Sequence, residues 1–295
     1  MKRIWINRQG SLRMGWKLLA VFAASMVLNF VVNGLLSLKV NDRTLFGQNG
    51  FTDSLKAPSL YFAIVVVFAV AIMEKWSLSS IGLTNPLTGW GKGAAGIVSG
   101  GVSCLIVILL LGMLGYAVFP DGLLGADWHR LNVAAIFTSS LFPAIGEELL
   151  FRGYGLKLMT GSFGRNGAIV ASSLLFSLMH GANTGVTALA FLNIGLIGLV
   201  FALVAVRSGS LWFPIGFHFA WNFVQGSLFS GAVSGGGGGG LIPVNDVGKS
   251  WLSGGAFGIE GSIWATPILA LLVVIAAGWR FKETAGGWNS SGLSA

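Results

Sequence analysis

The sequence predicts an all-α fold: one polytopic bundle of about eight transmembrane helices over residues 1–295, with both chain ends cytoplasmic. Three observations predict it. First, 54% of the 295 residues are hydrophobic and 9% charged, with a mean hydropathy of +0.78. A soluble domain carries about 25% charged residues, so the chain lacks the polar surface to face water, and soluble globular, disordered and fibrous classes are excluded. Second, the apolar residues gather in runs near the ~20 residues that cross a bilayer. These runs lack the period-two alternation of barrel strands. Third, the 18 Lys and Arg residues divide unevenly between alternate loops.

The first run, about Leu18–Leu38, follows a basic segment. It is longer than a signal-peptide core and no small-residue cleavage site closes it, so it reads as an uncleaved first span. Further runs follow at about Ser59–Met73, Gly93–Phe119, Val133–Phe151, Ala168–His180, Thr187–Val206, Leu211–Phe229 and Ser262–Trp279. The second and fifth are short. Gly96 and Gly100 form a G-x-x-x-G at the head of the third run, a pattern that lets two helices approach closely, within the chain or across a homodimer seam. Residues 231–261, with the unbroken run Gly235–Gly240, read as a flexible Gly-rich outer loop. Within it Gly248-Lys249-Ser250 imitates the end of a phosphate-binding loop, but Pro243 stands where the first glycine belongs. The single cysteine, Cys104, excludes a disulfide framework and a multi-Cys metal site; it reads as a packing residue.

Orientation follows from charge. With the N-terminus inside, Lys2, Arg3, Arg8, Arg13, Lys17, Lys75, Lys92, Arg152, Lys157, Arg165, Arg207, Arg280 and Lys282 are cytoplasmic. Lys39, Arg43, Lys56, Arg130 and Lys249 are outside, so 13 face 5, as the positive-inside rule requires. The net charge of +8 therefore records topology. Basic residues spread over every inner loop make no nucleic-acid patch, so the expected partner is the lipid bilayer; oligomeric state stays open.

Of the ten acidic residues, Asp42, Asp53, Asp121, Asp127, Asp246, Glu260 and Glu283 read as loop or tail, and Glu74 as the end of a span. Only Glu147 and Glu148 interrupt an apolar run, where each charge costs about 2.5–3.5 kcal/mol on insertion scales. His180 and His218 also lie in apolar runs, and Asn222 follows His218 by four; His129, in an outer loop, reads as solvated surface. Glu148 and Arg152 are spaced i,i+4 and pair along one helix side, while Glu147 is rotated about 100° away. Polar stripes inside a bundle are most stable facing one another, which predicts a convergent set of Glu147, Glu148, Arg152, His180, His218 and Asn222. Pro143 and Pro214 each stand four residues before a polar member, where a proline kink opens a wet cavity or, for Pro214, merely occupies a first turn. Simple span boundaries leave Glu147 and His180 about 10 Å apart in depth.

The set suits hydrolysis by an activated water, which needs a base and charge stabilisation at a tetrahedral oxygen. No Ser-His-Asp set exists. Glu147, His180 and His218 also suit a zinc ion with an open fourth position, although H-E-x-x-H is absent. Metal and metal-free chemistry both stay open, with zinc the one cofactor in question.

Glu147-Glu148-Leu149-Leu150-Phe151-Arg152 resembles the E-E-x-x-x-R motif of the CPBP family of intramembrane proteases, which includes type II CAAX prenyl proteases and the bacteriocin-processing Abi proteins. Phe176-Ser177-Leu178-Met179-His180 is similar to its F-x-x-x-H motif, and His218-Phe219-Ala220-Trp221-Asn222 to its H-x-x-x-N motif. The three occur in family order within a core of residues 133–230. The resemblance implies an endopeptidase acting on a membrane-associated or lipidated peptide. It implies Glu147 as base assisted by His180, His218 and Asn222 at the oxyanion, and Arg152 positioning the glutamates. The plasma membrane of a bacterium is the expected location. Two other functions compete: an ion-coupled transporter using buried carboxylates as a proton relay, disfavoured because no inverted repeat is visible, and a non-catalytic immunity or adaptor protein.

Overall fold

The computed structural model describes residues 12–40, 43–44, 57–130 and 133–279. Lys2, Arg3, Arg8, Asp42, Asp53, Lys56, Arg280, Lys282 and Glu283 lie outside them. Each of the eight apolar runs falls on helix. Helix α1 is Met14–Leu36. Helix α2 is Pro58–Phe68, continued by a π turn Ala69–Met73. Helix α3, Pro86–Met113, starts where Asn85 accepts a hydrogen bond from the Leu87 amide and Pro86 takes the first turn. Helix α4 is assembled from Val133–Ile136, a π segment Phe137–Leu141, Phe142–Glu148 and a second π segment Leu149–Gly155. Helix α5, Leu156–Met179, follows directly and breaks at Gly164, whose φ is 69°. Helix α6, Ala188–Ser208, is capped by Thr187 and closed by Gly209 at φ 61°. Helix α7, Trp212–Asn222, runs into a π segment Phe223–Leu228, and α8 is Ala265–Gly278.

Among the described residues, three helical stretches are long and apolar enough to cross a membrane: Met14–Leu36, Leu78–Met113 and Ala188–Ser208. Pro58–Met73 and Ala265–Gly278 are shorter apolar helices. Large apolar side chains point outward along these helices, among them Phe30, Val98, Leu192 and Val274, a surface suited to lipid rather than water. Among the described residues, strand structure is confined to two antiparallel ribbons, Lys39–Val40 with Arg43–Thr44 and Ala117–Val118 with Asn245–Asp246.

Two apolar clusters hold the bundle. One gathers α2, α4, α5 and α6 around Phe62, Val66, Leu149, Tyr154 and Phe176. The other gathers α3, α6, α7 and α8 around Cys104, Leu111, Phe201, Phe217 and Leu269. Cys104 is fully buried, in keeping with a packing role. Glycine sets the tightest approach. A Cβ on Gly96 would lie 2.2 Å from the Phe213 carbonyl oxygen, one on Gly100 2.3 Å from that of Phe217, and one on Gly216 2.3 Å from that of Gly93. The G-x-x-x-G face is thus spent inside the molecule, between α3 and α7.

Several expectations are corrected. The chain turns after α4 at Gly164, not at Arg152. Arg152 and Lys157 are helical, and Arg152 is fully buried, so it leaves the tally of inner-loop charges. The depth conflict disappears with it: Glu147 lies 17 residues before Gly164 and His180 16 after it, equal climbs of about 25 Å at 1.5 Å per residue. Pro214 sits in the first turn of α7, so only Pro143, at the junction of a π segment with the next α turn, matches the expected irregularity. The Gly-rich loop is packed rather than loose: the Gly235 amide donates to Phe257, and the Leu241 and Ile242 amides donate to Ser227 and Leu228.

Candidate active site

Helix α4 carries both glutamates, and their 100° separation sends them to different environments. Glu148 is fully buried; its Oε1 accepts from Arg152 Nη1 at 3.1 Å, so the i,i+4 pair forms as spaced. Arg152 also donates from Nη2 to the Gly198 carbonyl at 3.3 Å. Its guanidinium carbon stands 4.0 Å from the centroid of the Phe176 ring. Gly198 leaves the room: a Cβ there would be 3.2 Å from Arg152 Nη2. The same Glu148 Oε1 lies 3.2 Å from His218 Nδ1 on α7. A carboxylate oxygen only accepts, so His218 Nδ1 carries the hydrogen and Nε2 is the outward nitrogen. His218 stacks on Phe201, centroids 5.7 Å apart.

Glu147 turns the other way. It lines an open cavity of about 710 Å³ together with His180, His218 and Asn222, a size within the usual range for ligand sites. Its Oε2 is buried and has no hydrogen-bond partner among the described residues. His180 begins the 3-10 turn His180–Ala182 that closes α5. Its Nδ1 donates to the Phe176 carbonyl at 2.8 Å, because a carbonyl can only accept, and in the neutral ring this leaves the lone pair on Nε2. The remaining walls come from Ala57, Pro58, Ser59 and Phe62 on the α2 side, Thr138, Ser139 and Pro143 of α4, and Val233–Gly237 of the Gly-rich loop. Close approach of α2 and α4 at this wall depends on Gly146, where a Cβ would fall 1.9 Å from the Ser59 carbonyl oxygen.

So the six expected residues separate into two layers. Glu147, His180, His218 and Asn222 face the cavity; Glu148 and Arg152 lie dry behind His218. One residue was misread from sequence. Glu260, taken as a loop acid, is 4% exposed. It accepts from Gln225 Nε2 at 2.6 Å, Trp221 Nε1 at 3.3 Å and Ser234 Oγ at 3.4 Å, and its own carbonyl accepts from Asn193 Nδ2 at 2.8 Å. Burial pushes its carboxyl up, opposed by those hydrogen bonds. With His180, His218 and Asn222 it lines a small pocket of about 30 Å³ behind the site, room for water. The available signal was its company: Asn193 and Gln225 are polar residues inside apolar runs, and they need a partner.

The zinc reading was tested on the donor set. His218 has a carboxylate at its second nitrogen, supplied by Glu148 from another helix, the arrangement metal-bound imidazoles usually have. Yet a zinc site needs its donors in one sphere at about 2.0–2.2 Å, and among the described residues no three His, Cys, Asp or Glu side chains are so gathered. Glu147, His180 and His218 come from three different elements, α4, the end of α5 and α7. As placed they do not fit a metal, and no chemical step is routed through one.

Fold and site together define a helical membrane protein with carboxylate, imidazole and amide groups collected on one accessible cavity. Residues 129–224, which hold all three motifs, match the family described as Type II CAAX prenyl endopeptidase Rce1-like. The match agrees with the resemblance that the three motifs carry. No curated protein matches the chain.

Proposed function

We propose that the protein is an intramembrane endopeptidase that hydrolyses a peptide bond of a membrane-associated, lipidated substrate with a water activated by Glu147 and His180. The observation that carries this reading is the meeting of Glu147, His180, His218 and Asn222 on one open cavity. The Glu147 carboxyl group lining this cavity can accept a proton from water, and the Nε2 lone pair of His180 is a second acceptor on it. As water adds to the carbonyl carbon, negative charge develops on the carbonyl oxygen. Asn222 has amide donors for it. His218 donates from Nε2 when both ring nitrogens carry hydrogens, a charge state that the Glu148 carboxylate at Nδ1 accommodates. Arg152 neutralises Glu148 and fixes its rotamer, so it acts through His218 without touching the substrate. The proton taken by Glu147 then passes to the leaving amine.

The test is Glu147→Gln with the full chain in detergent, assayed on an internally quenched peptide ending in a farnesylated cysteine and three residues. Acid and amide have the same shape, but the amide cannot take the proton, so cleavage is expected to fall about 10²–10⁴-fold with an unchanged melting temperature. Wild-type rates in the variant would remove Glu147 from the mechanism.

A further inference from the structure

The first half of the glycine run, Gly235–Gly237, lines the cavity. Of the six consecutive glycines, three are required by packing: a Cβ on Gly235 would lie 2.5 Å from the Thr184 carbonyl oxygen, one on Gly238 2.1 Å from that of Ser230, and one on Gly240 2.5 Å from that of Ser227. Gly237 and Gly239 differ. A Cβ at either would meet nothing within 4 Å, and neither has a left-handed φ. Neither space nor conformation calls for glycine there. What glycine does at these positions is leave the main chain bare. Residues 236–239 are exposed. The N–H and C=O groups of Gly237, Gly238 and Gly239 make no hydrogen bond with the described residues, whereas the flanking Gly236 is bonded to Val233 in both directions. Gly237 itself lines the cavity that holds Glu147, His180, His218 and Asn222.

A peptide bond within a helix has its N–H and C=O engaged and its carbonyl covered by the next turn. An extended segment exposes both and can add to an open backbone edge, with main-chain bonds giving affinity and little side-chain selectivity. We propose that Gly237–Gly239 is a strand-like subsite, about 10 Å long, that hydrogen-bonds an extended stretch of the substrate beside the scissile bond. The inference rests on the peptidase reading and names its substrate class: unwound peptide segments of varied sequence rather than intact transmembrane helices.

The experiment reads binding and cleavage separately. The probes are two fluorescent farnesylated octapeptides, one able to extend and one locked helical by α-aminoisobutyrate. Binding is measured on the full chain carrying Glu147→Gln, so that no turnover intervenes, and cleavage on the chain with Glu147 intact. The extendable peptide should bind at least about tenfold more tightly than the helical one. Gly237→Pro, which deletes the N–H, should weaken binding about tenfold, the worth of one lost hydrogen bond, without lowering the melting temperature. Gly237→Ala keeps the N–H and should recover most of that loss. Equal affinity for the two peptides, no binding of either, or unchanged affinity in a folded Gly237→Pro chain would overturn the subsite. A Gly237→Pro chain that melts early is replaced by Gly239→Pro, judged on the same scale. Binding that follows these expectations while the chain with Glu147 cleaves nothing would keep the subsite and end the peptidase reading.

Discussion

Two adjacent glutamates on one helix meet opposite surroundings, and this division organises the site. Glu148 gives its Oε1 to Arg152 and His218 in a buried network; the Oε2 of Glu147 has no hydrogen-bond partner among the described residues. Removing one partner of a buried ion pair strands the other charge, so Arg152→Ala is expected to cost about 3–5 kcal/mol, read as a lower unfolding midpoint in detergent. Arg152→Lys should fall between, because a single ammonium cannot reproduce the guanidinium fork that spans Glu148 and Gly198. Unchanged stability in Arg152→Ala would refute the buried network. Because no three candidate metal donors are gathered among the described residues, treatment with a chelator is expected to leave peptide cleavage unchanged. Loss on chelation and recovery with zinc would overturn that expectation. At this scale the sequence was informative where partners are neighbours along one helix: the Glu148–Arg152 pair is legible as i,i+4. The His218–Glu148 bond joins residues 70 positions apart, and only the docking of α7 on α4 decides which glutamate it reaches.

The elements are held in place by missing side chains as much as by present ones. Helix α7, bearing His218 and Asn222, lies against α3 with backbone nearly touching backbone at Gly96, Gly100 and Gly216. Gly100→Val is therefore expected to prevent correct packing: its Cβ would press on Phe217 backbone atoms, at 2.3 Å from the carbonyl oxygen and 2.8 Å from Cα. Rigid backbone cannot yield, and overpacking of this kind costs about 1–3 kcal/mol or more. Gly101→Ala, whose Cβ would find its nearest neighbours at 3.8 Å and 3.9 Å, is the control, and the yield of monodisperse protein discriminates the two. Glu260 ties the outer loop to α7 through Trp221 and Gln225 and to α6 through Asn193. Glu260→Ala removes the acceptor shared by Trp221, Gln225 and Ser234, at about 1–3 kcal/mol for a buried donor left unpaired. A lower melting temperature and faster proteolytic nicking within 231–261 are expected; a loop as resistant as wild type would refute the tie.

For the whole molecule, orientation in the bilayer is the property that contacts within the protein leave open. With Arg152 moved from inner loop to core, 12 inner basic residues still face 5 outer ones in the expected topology, and we propose that both termini are cytoplasmic. Cysteines introduced at Gly239 and at Lys282 should then react with a membrane-impermeant maleimide from opposite sides. Cys104, with 0% exposure, contributes no background. Labelling of both from one side would invert or break the topology. Each apolar run falls on helix among the described residues because hydropathy is a local property, summed over neighbours in the chain. The second and fifth runs are short in the structure as well: the second is the helix Pro58–Met73, and the fifth lies between the break at Gly164 and the helix end at Met179.

The amino-acid sequence alone determined where the helices lie, which polar residues interrupt them, and the three motifs that mark the family, since each depends on residues a few positions apart. Tertiary structure decided which of two neighbouring glutamates meets the cavity, that the G-x-x-x-G face is used up on α7, that Glu260 leaves solvent, and that the glycine run becomes a wall. Each of these is fixed by contacts between distant parts of the chain. Asn193 and Glu260 are 67 positions apart and Trp221 and Glu260 39, and a helical period of 3.6 residues says which face a side chain occupies but not which helix it will meet.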